Sequence, residues 1–600
     1  MNSIVRLSCV INRVSIADPA GCLDEIKKIL PELPESDITV LPKLALCPPS
    51  GGSLVPQLRA ECAAALDELS ALCADRAGYM IVGLAVNDLG RTASAVAVLC
   101  GGELVALIPT LDNTEPFLNG DYSEQLMPPD TVFSCGGLRF SVLACRPDTL
   151  AVQAGHVLQN GCDLVIVPAY TPIHAGLIDE IEAGARATSA AAGCAVAIVN
   201  GGVGDTSSPQ LYKGFSMVYE CGELLARQLA GYQSAFSTVD LNIDIIQAQK
   251  KISGSATPAY DIELFSPKTE LMRQLRRNPF LPELDAEKYL AELFDLQVRS
   301  LASRMENIGV KRLVIGVSGG IDSTAALMVC AGAMDIMGLP RENVLAVSMP
   351  GLGTSDKTRT NADRLMAALG VESRIIPITE AVKQHFADIS HDGRHDTAYE
   401  NAQARERTQI LMDLANMCGG FVVGTGDLSE AALGFSTFGG DQLASFNVNI
   451  CITKTVLREL LAFLGGHNVL KGVGAVLRDI LDTPISPELL PPTEQGEIKQ
   501  RTEEILGPYE LHDFFLYYFL RYKLRPSSIL FYACAAFAGE YEQDFICDKL
   551  EIFLRRFCAG QFKRSCAPDC AAINEVNLCG VSFQMPSDMS AKMLLRDIGR

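Results

Sequence analysis

Leu313-Val-Ile-Gly-Val-Ser-Gly-Gly-Ile-Asp-Ser-Thr324 is an apolar run that ends in a Ser-Gly-Gly turn, and Ala-rich sequence continues from it to residue 337. The pattern predicts a buried strand, a tight turn and a helix. Gly319 and Gly320 let the backbone fold closely and bring its N–H groups up to an anion. The start of the helix adds partial positive charge at the same point. Gly316 lies at the strand end, Ser318 and Ser323 supply hydroxyls, and Asp322 offers a carboxylate to a magnesium ion. No Gly-Lys-Ser/Thr follows, so this is not a Walker loop. A plain glycine turn between strand and helix is the simple alternative. The complete strand–SGGxDS–helix context argues against it.

The same arrangement recurs downstream. FVVGTGDLSE at residues 421–430 again reads as strand, glycine turn and helix. MPGLGTSD at 349–356 follows a second apolar strand, residues 344–347. YENAQAR at 399–405 opens a helix, which alone would pass for an ordinary amphipathic one. GDQLASFNVN at 440–449, Lys454-Thr455, DTPISPE at 482–488, GPYE at 507–510 and FKRS at 562–565 follow. Strands alternating with helices predict an α/β domain with a parallel sheet. Ligands of such sheets bind at the carboxyl ends of the strands.

These motifs, in this order, resemble the ATP pyrophosphatases, enzymes that cut ATP between its α and β phosphates. Within that group they resemble the glutamine-dependent NAD synthetases of the long two-domain form, and the match covers about residues 285–570. The resemblance implies a Rossmann-like ATP-pyrophosphatase (adenine nucleotide alpha hydrolase-like) domain. It implies ATP contacts from Gly316, Ser318, Gly319, Gly320, Asp322, Ser323 and Thr425. It places magnesium on Asp322 and Glu430, and makes Lys454 a candidate cation for the ATP phosphates. Deamido-NAD would meet Asn401, Glu430, Phe435, Ser436, Thr437, Phe438 and, from the C-terminal segment, Lys563. The implied reaction joins ammonia to deamido-NAD through an acyl-adenylate and releases AMP and pyrophosphate. GMP synthetase, asparagine synthetase and tRNA-modifying adenylating enzymes share the first loop but not the remaining set. A non-catalytic nucleotide-binding scaffold is the alternative from another class.

Outside this half, 600 residues are too many for one core, so two domains are expected. Residues 1–250 alternate apolar runs at 37–41, 79–84, 95–99, 140–145, 164–167 and 195–200 with helical stretches at 58–75 and 177–192. Residues 251–284 interrupt this rhythm and are assigned as a linker. Asp285 is expected to cap a helix carrying Leu290, Leu293, Phe294, Leu301 and Met305 on one face, so the second domain runs 285–600. The net charge of −21 argues against nucleic acid and anionic membranes as partners. No apolar run is long enough to span a bilayer, and residues 1–12 lack the features of a signal peptide. Twenty scattered cysteines, mostly in apolar surroundings, fit reduced thiols and a cytoplasmic protein. Cys566 and Cys570 are expected to be packing residues. His391 and His395 are expected to lie in a polar loop.

The long NAD synthetases carry an N-terminal nitrilase-like amidase, an α-β-β-α sandwich that hydrolyses glutamine with a Glu base, a Cys nucleophile and a Lys at the oxyanion. Residues 1–250 resemble it more weakly. Cys145, in SVLAC at 141–145, keeps the nucleophile's position. The segment that the family writes as F-P-E-L reads Leu41-Pro42-Lys43-Leu44, and the Pro-Lys segment reads Pro109-Thr110. Arg146 replaces the acidic residue that usually follows the cysteine. Two working groups are therefore missing, and the expectation is a domain without efficient glutaminase activity, with free or externally supplied ammonia as the nitrogen source. Glu115 serving as a substitute base is the competing reading. The family also implies a homo-oligomer.

Overall fold

The computed structural model describes residues 3–47, 55–76, 78–88, 91–110, 125–205, 211–254, 256–262, 268, 270–283, 285–353, 356–483, 506–579 and 583–600. Glu115 and residues 484–488 lie outside them. The chain divides into two compact units, Met1–Gln274 and Leu275–Arg600.

The first unit holds strands β1 (Ile4–Ile11), β2 (Ile38–Val40), β3 (Tyr79–Asp88), β4 (Arg91–Cys100), β5 (Glu103–Pro109), β6 (Phe133–Cys135), β7 (Leu138–Val142), β8 (Leu164–Ala169), β9 (Ala195–Asn200), β10 (Phe215–Glu220), β11 (Glu223–Leu229), β12 (Ala235–Asn242) and β13 (Tyr260–Ile262). They form two sheets, ordered β12-β1-β2-β3-β4-β5 and β11-β10-β9-β8-β7-β6-β13. Side chains alternate between the faces of each strand, and the sequence uses both faces. Tyr79, Ile81, Val96 and Val98 of the first sheet pack against Phe140, Val142, Leu164 and Ile166 of the second. Their neighbours Met80, Val82, Ala97 and Leu99 turn outward onto Leu23, Ile26, Leu66 and Leu69 of helices Pro19–Ile29 and Val55–Leu72. Val165, Val167, Val196 and Ile198 likewise meet helices Leu150–Gln159 and Leu177–Ala192. The unit is thus an α-β-β-α sandwich.

The stretch assigned as a linker does structural work in this unit. β13 pairs parallel to β6, Lys268 reaches Asp37 at 3.0 Å, and Arg273 reaches Glu220 at 2.8 Å. The ion pairs need partners more than 50 positions away, so composition gives no sign of them.

The second unit has one parallel sheet of β14 (Leu313–Gly316), β15 (Val344–Ser348), β16 (Glu372–Ile375), β17 (Phe421–Gly424) and β18 (Phe446–Asn447), ordered β16-β15-β14-β17-β18. Helix Ile321–Met337 is buried on nearly every side, the pattern of a helix enclosed by its neighbours. A Cβ on Gly332 would lie 2.7 Å from Val298, so helices Ala286–Ile308 and Ile321–Met337 approach closely there. Asp285 sits at the expected helix start, but with φ +60° and without a side-chain capping bond. His391 accepts from Gly393 N–H and meets Asp396, and the ring of His395 packs on Tyr399.

The all-helical end of this unit contains a buried histidine. His512 Nε2 donates to the Leu506 carbonyl at 2.9 Å, and burial lowers its pKa to about 4. A histidine held neutral stabilises the fold above its unfolded value, near 6.5, and that contribution is lost as pH falls toward 4. His512→Gln is expected to remove about 3 kcal/mol of the acid loss between pH 7 and 4. Urea unfolding of the two proteins at both pH values measures it.

Candidate active site

In the sheet of the second unit the strand order reverses between β14 and β17. Loops at the carboxyl ends of such neighbouring strands diverge and leave a crevice. The Ser-Gly-Gly loop follows β14 and the Gly-Thr-Gly-Asp loop follows β17, so both phosphate-binding candidates reach the same place. A cavity of about 550 Å³ opens there. Its lining includes Gly316, Ser318, Gly320, Asp322, Ser323, Thr425, Glu430, Lys454, Asn401, Phe435, Ser436, Thr437 and Lys563.

Gly319 takes φ +88°, a conformation open to glycine at little cost, and this makes the turn. Ser318 Oγ accepts from Gly320 N–H at 3.2 Å, and Ser323 Oγ accepts from Ser318 N–H at 3.2 Å. The two hydroxyls brace the loop above the start of helix Ile321–Met337, which places Asp322 in its first turn. Across the crevice, Asp427 caps helix Leu428–Leu433 by accepting from Glu430 N–H at 2.8 Å. That cap orients Glu430.

Lys454 joins the two sides. Its Nζ lies 2.7 Å from Asp322 Oδ1, 2.7 Å from Asp427 Oδ2 and 2.9 Å from Glu430 Oε1. Oxygen atoms of the three carboxylates lie within 4.8 Å of one another. The Lys454 side chain is 1% exposed and that of Asp427 is fully buried, while Asp322 and Glu430 keep 25% and 22% of their surface. Burial opposes the charge on Lys454, but the three carboxylates outweigh it and raise its pKa. Burial pushes Glu430 up to about 7; Lys454 pulls it back and Asp322 adds to the rise. Asp427 is also raised by burial. Lys454, the candidate cation for the phosphates, lines the cavity, and its ammonium is engaged by three carboxylates.

The supports of this cluster come from distant sequence. Lys454 N–H donates to Ser429 Oγ at 2.8 Å, and Ser429 donates in turn to Asp513. Thr455 Oγ1 donates to the other Asp513 oxygen at 2.7 Å. The Tyr509 ring lies 5.5 Å from Lys454 Nζ, with its buried hydroxyl unpaired among the described residues. Asn449 is fully buried and donates to the carbonyls of Asp322 at 3.0 Å and Thr425 at 3.1 Å, fastening the two loops together. Asn449→Ala is expected to lower kcat about 100-fold through loop misplacement. It should also cost about 2 kcal/mol of stability. Steady-state kinetics beside thermal unfolding would show both.

The other wall is built on carbonyl groups. Thr437 Oγ1 donates to Asn401 Oδ1 at 2.9 Å. Lys563 Nζ donates to the carbonyls of Gly434 at 2.7 Å and Ser436 at 2.6 Å. Arg556 donates to Leu433 O at 3.1 Å, and Arg564 to Ala431 O at 3.0 Å. Three cations thus gather at the carbonyl end of helix Leu428–Leu433, where the helix dipole favours them. Phe438 does not line the cavity: it is 46% exposed and packs on Phe562. Sequence reading did not single out Asp427, Asn449, Tyr509, Arg556 or Arg564. The Asp-x-x-Glu spacing of Asp427 and Glu430, a capping signature, was the one local signal available. Cys570, expected to be a packing residue, instead comes together with Cys451 and Cys579.

In the first unit, Lys43 follows β2, Thr110 follows β5 and Cys145 lies just beyond β7. The strand directions bring all three to one end of the sandwich. Lys43 is 8% exposed, Thr110 6% and Cys145 1%. Lys43 N–H donates to Ala169 O at the end of β8, and β3 presses so close that a Cβ on Gly83 would lie 1.6 Å from Lys43 O. Thr110 Oγ1 meets Ser94 Oγ at 3.2 Å, and Arg146 pairs with Asp148 at 2.6 Å.

A parallel α/β unit with two glycine turns meeting at its switch point is the architecture of a nucleotide-binding domain. A family model described as NAD synthase matches residues 293–532. Glutamine-dependent NAD(+) synthetase from Mycobacterium leprae is 33% identical over 523 residues, covering 79% of this chain and 76% of that protein. Its counterpart from Aquifex aeolicus is 26% identical over 540 residues, 86% of this chain and 89% of that protein. Among solved structures, a glutamine-dependent NAD(+) synthetase from Cytophaga hutchinsonii aligns over 100% of both chains at 16% identity and a TM-score of 0.43. The chain belongs to the glutamine-dependent NAD(+) synthetase family, and its synthetase half is a ligase domain.

Proposed function

We propose that the protein makes NAD(+) by ATP-dependent amidation of deamido-NAD through an acyl-adenylate. The convergence of two glycine turns on Asp322, Glu430 and Lys454 supports this reading. The nicotinate carboxylate attacks the α-phosphorus of ATP, the bond between the α- and β-phosphates breaks, and pyrophosphate leaves. Ammonia then attacks the acyl carbon and displaces AMP. The Ser-Gly-Gly backbone and the start of helix Ile321–Met337 bind the phosphates. Thr425 borders the nucleotide, while Asn401, Phe435, Ser436, Thr437 and Lys563 shape the dinucleotide wall. Asp322 and Glu430 are hard oxygen donors that face the cavity close together, a set that fits Mg²⁺. When bound, that ion neutralises charge on the polyphosphate. Lys454 holds the two carboxylates in register from behind. With the nicotinate carboxylate labelled with ¹⁸O, the reading expects one label in AMP; unlabelled AMP would contradict it.

The nitrogen source forms the second part of the proposal. On this reading Lys43 and Thr110 replace the general base and the oxyanion cation of the nitrilase-like amidases. A protonated lysine cannot accept the thiol proton, and losing one oxyanion donor costs about 100- to 1000-fold. The first unit therefore acts as an amidase-like scaffold, and the enzyme uses free or externally supplied ammonia. Ammonium is expected to support NAD(+) formation at least about 100-fold faster than glutamine, with Cys145→Ala leaving the ammonium rate unchanged. A glutamine rate near the ammonium rate, abolished by Cys145→Ala, would contradict this and favour a rewired glutaminase. The same reading places a homo-oligomer in the cytoplasm. No helix among the described residues is long and apolar enough to cross a membrane.

A further inference from the structure

Cys451 meets Cys570 and Cys579, two cysteines of the C-terminal segment, beside the cavity wall. Cys579 Sγ lies 3.0 Å from Cys451 Sγ and 2.8 Å from Cys570 Sγ. Elsewhere in the chain, an ordinary thiol contact, Cys73 Sγ to Met80 Sδ, measures 3.4 Å. Three thiols in mutual reach form a set of soft ligands for a single ion. A disulfide joins two sulfurs at about 2.05 Å and leaves a third unexplained. Zinc sits about 2.3 Å from each thiolate and holds tetrahedral ligands about 3.8 Å apart, so the ion would spread these three sulfurs slightly from their present spacing.

The surroundings fit such an ion. Cys451 is buried, whereas Cys570 and Cys579 are partly exposed, so a fourth position can take water. The segment bearing Cys570 is laid along β18: Asn447 bridges to Cys570, and Asn447 N–H donates to Asp569 O at 2.9 Å. Cys451 follows Asn449, the residue that fastens both phosphate loops, by two positions. Lys563 and Arg564, which hold the opposite wall, precede Cys570 in the C-terminal segment. A link among these three sulfurs therefore ties the C-terminal segment to the loop that organises the site.

We propose that Cys451, Cys570 and Cys579 bind a thiophilic divalent cation of the zinc class, which clamps residues 560–579 onto the end of β18. Soft thiolates select zinc-like ions and leave Mg²⁺ to the carboxylates. Each ligating thiol gives its proton to solvent, up to three per ion. The site is independent of the proposed reaction and stands even if that reading fails.

The test uses the full chain, purified under reducing conditions without chelators and reconstituted with zinc. Elemental analysis is expected to find one zinc per chain, falling below a tenth in Cys579→Ser and Cys451→Ser but retained in Cys566→Ser. Cobalt added to the unaltered protein should give thiolate-to-metal charge-transfer absorption, a signature that does not depend on how the variants fold. Absence of both bound zinc and the cobalt bands would overturn the proposal. So would an intact mass showing two of the three cysteines joined as a disulfide under these conditions.

Discussion

Replacing Glu430 with glutamine is expected to lower kcat/KM for ATP about 1000-fold or more while leaving the fold as stable as before, or more so. Glu430 presents one of the two partly exposed carboxylates around Lys454, 2.9 Å from its ammonium. Glutamine keeps the shape and removes the charge, and with it one oxygen anion available to a magnesium–polyphosphate complex. The effect on stability runs the other way. Three carboxylates share one ammonium, and burial with Asp322 nearby pushes Glu430 up to about 7. Removing a charge that the site holds at a cost relieves repulsion. Kinetics with ammonium as donor and the unfolding midpoint of the same preparation decide the matter. A fall in both together would mean that Glu430 is structural only.

Lys454→Met should do the opposite to stability. Methionine fills most of the volume but leaves Asp322, Asp427 and Glu430 without a counter-charge. Asp427 is fully buried, so it cannot turn to water. Removing one partner of a buried ion pair costs about 3–5 kcal/mol. The C-terminal unit is expected to lose stability by that amount and to take up protons near neutral pH. Millimolar Mg²⁺ should restore part of it, because a divalent cation can occupy the space between the same oxygens. Urea unfolding with and without Mg²⁺ reads both effects. Unchanged stability would show that the cluster carries no buried charge to balance.

Much of this architecture was legible in the chain itself. Apolar runs at 79–84 and 95–99 marked buried strands of an α/β unit, but continuous apolar sequence does not tell the sheet-facing side from the helix-facing one, so the sandwich was expected from the family resemblance. The phosphate loops were readable because a glycine with positive φ, such as Gly319, a strand before it and a helix after it leave a local signature. What escaped reading is long-range. Asn449 matters because two carbonyls, 24 and 127 positions upstream, point at its amide. Tyr509 sits in a short motif, and nothing in that motif tells that its ring covers Lys454. The strand Tyr260–Ile262 looked like linker because its partner, β6, supplies the missing pattern from more than 100 positions earlier. The thiol trio has no fixed spacing, so only the folded chain brings it together.

The central claim is that Asp322, Glu430 and the two glycine loops grip a triphosphate so that a carboxylate captures AMP. The most direct test incubates the purified chain with nicotinic acid adenine dinucleotide, ATP, Mg²⁺ and an ammonium salt, and measures AMP, pyrophosphate and NAD(+) over time. The account predicts all three in equal amounts, with none formed when the dinucleotide is left out. ADP with inorganic phosphate in place of AMP, or no turnover at any ammonium concentration, would contradict it.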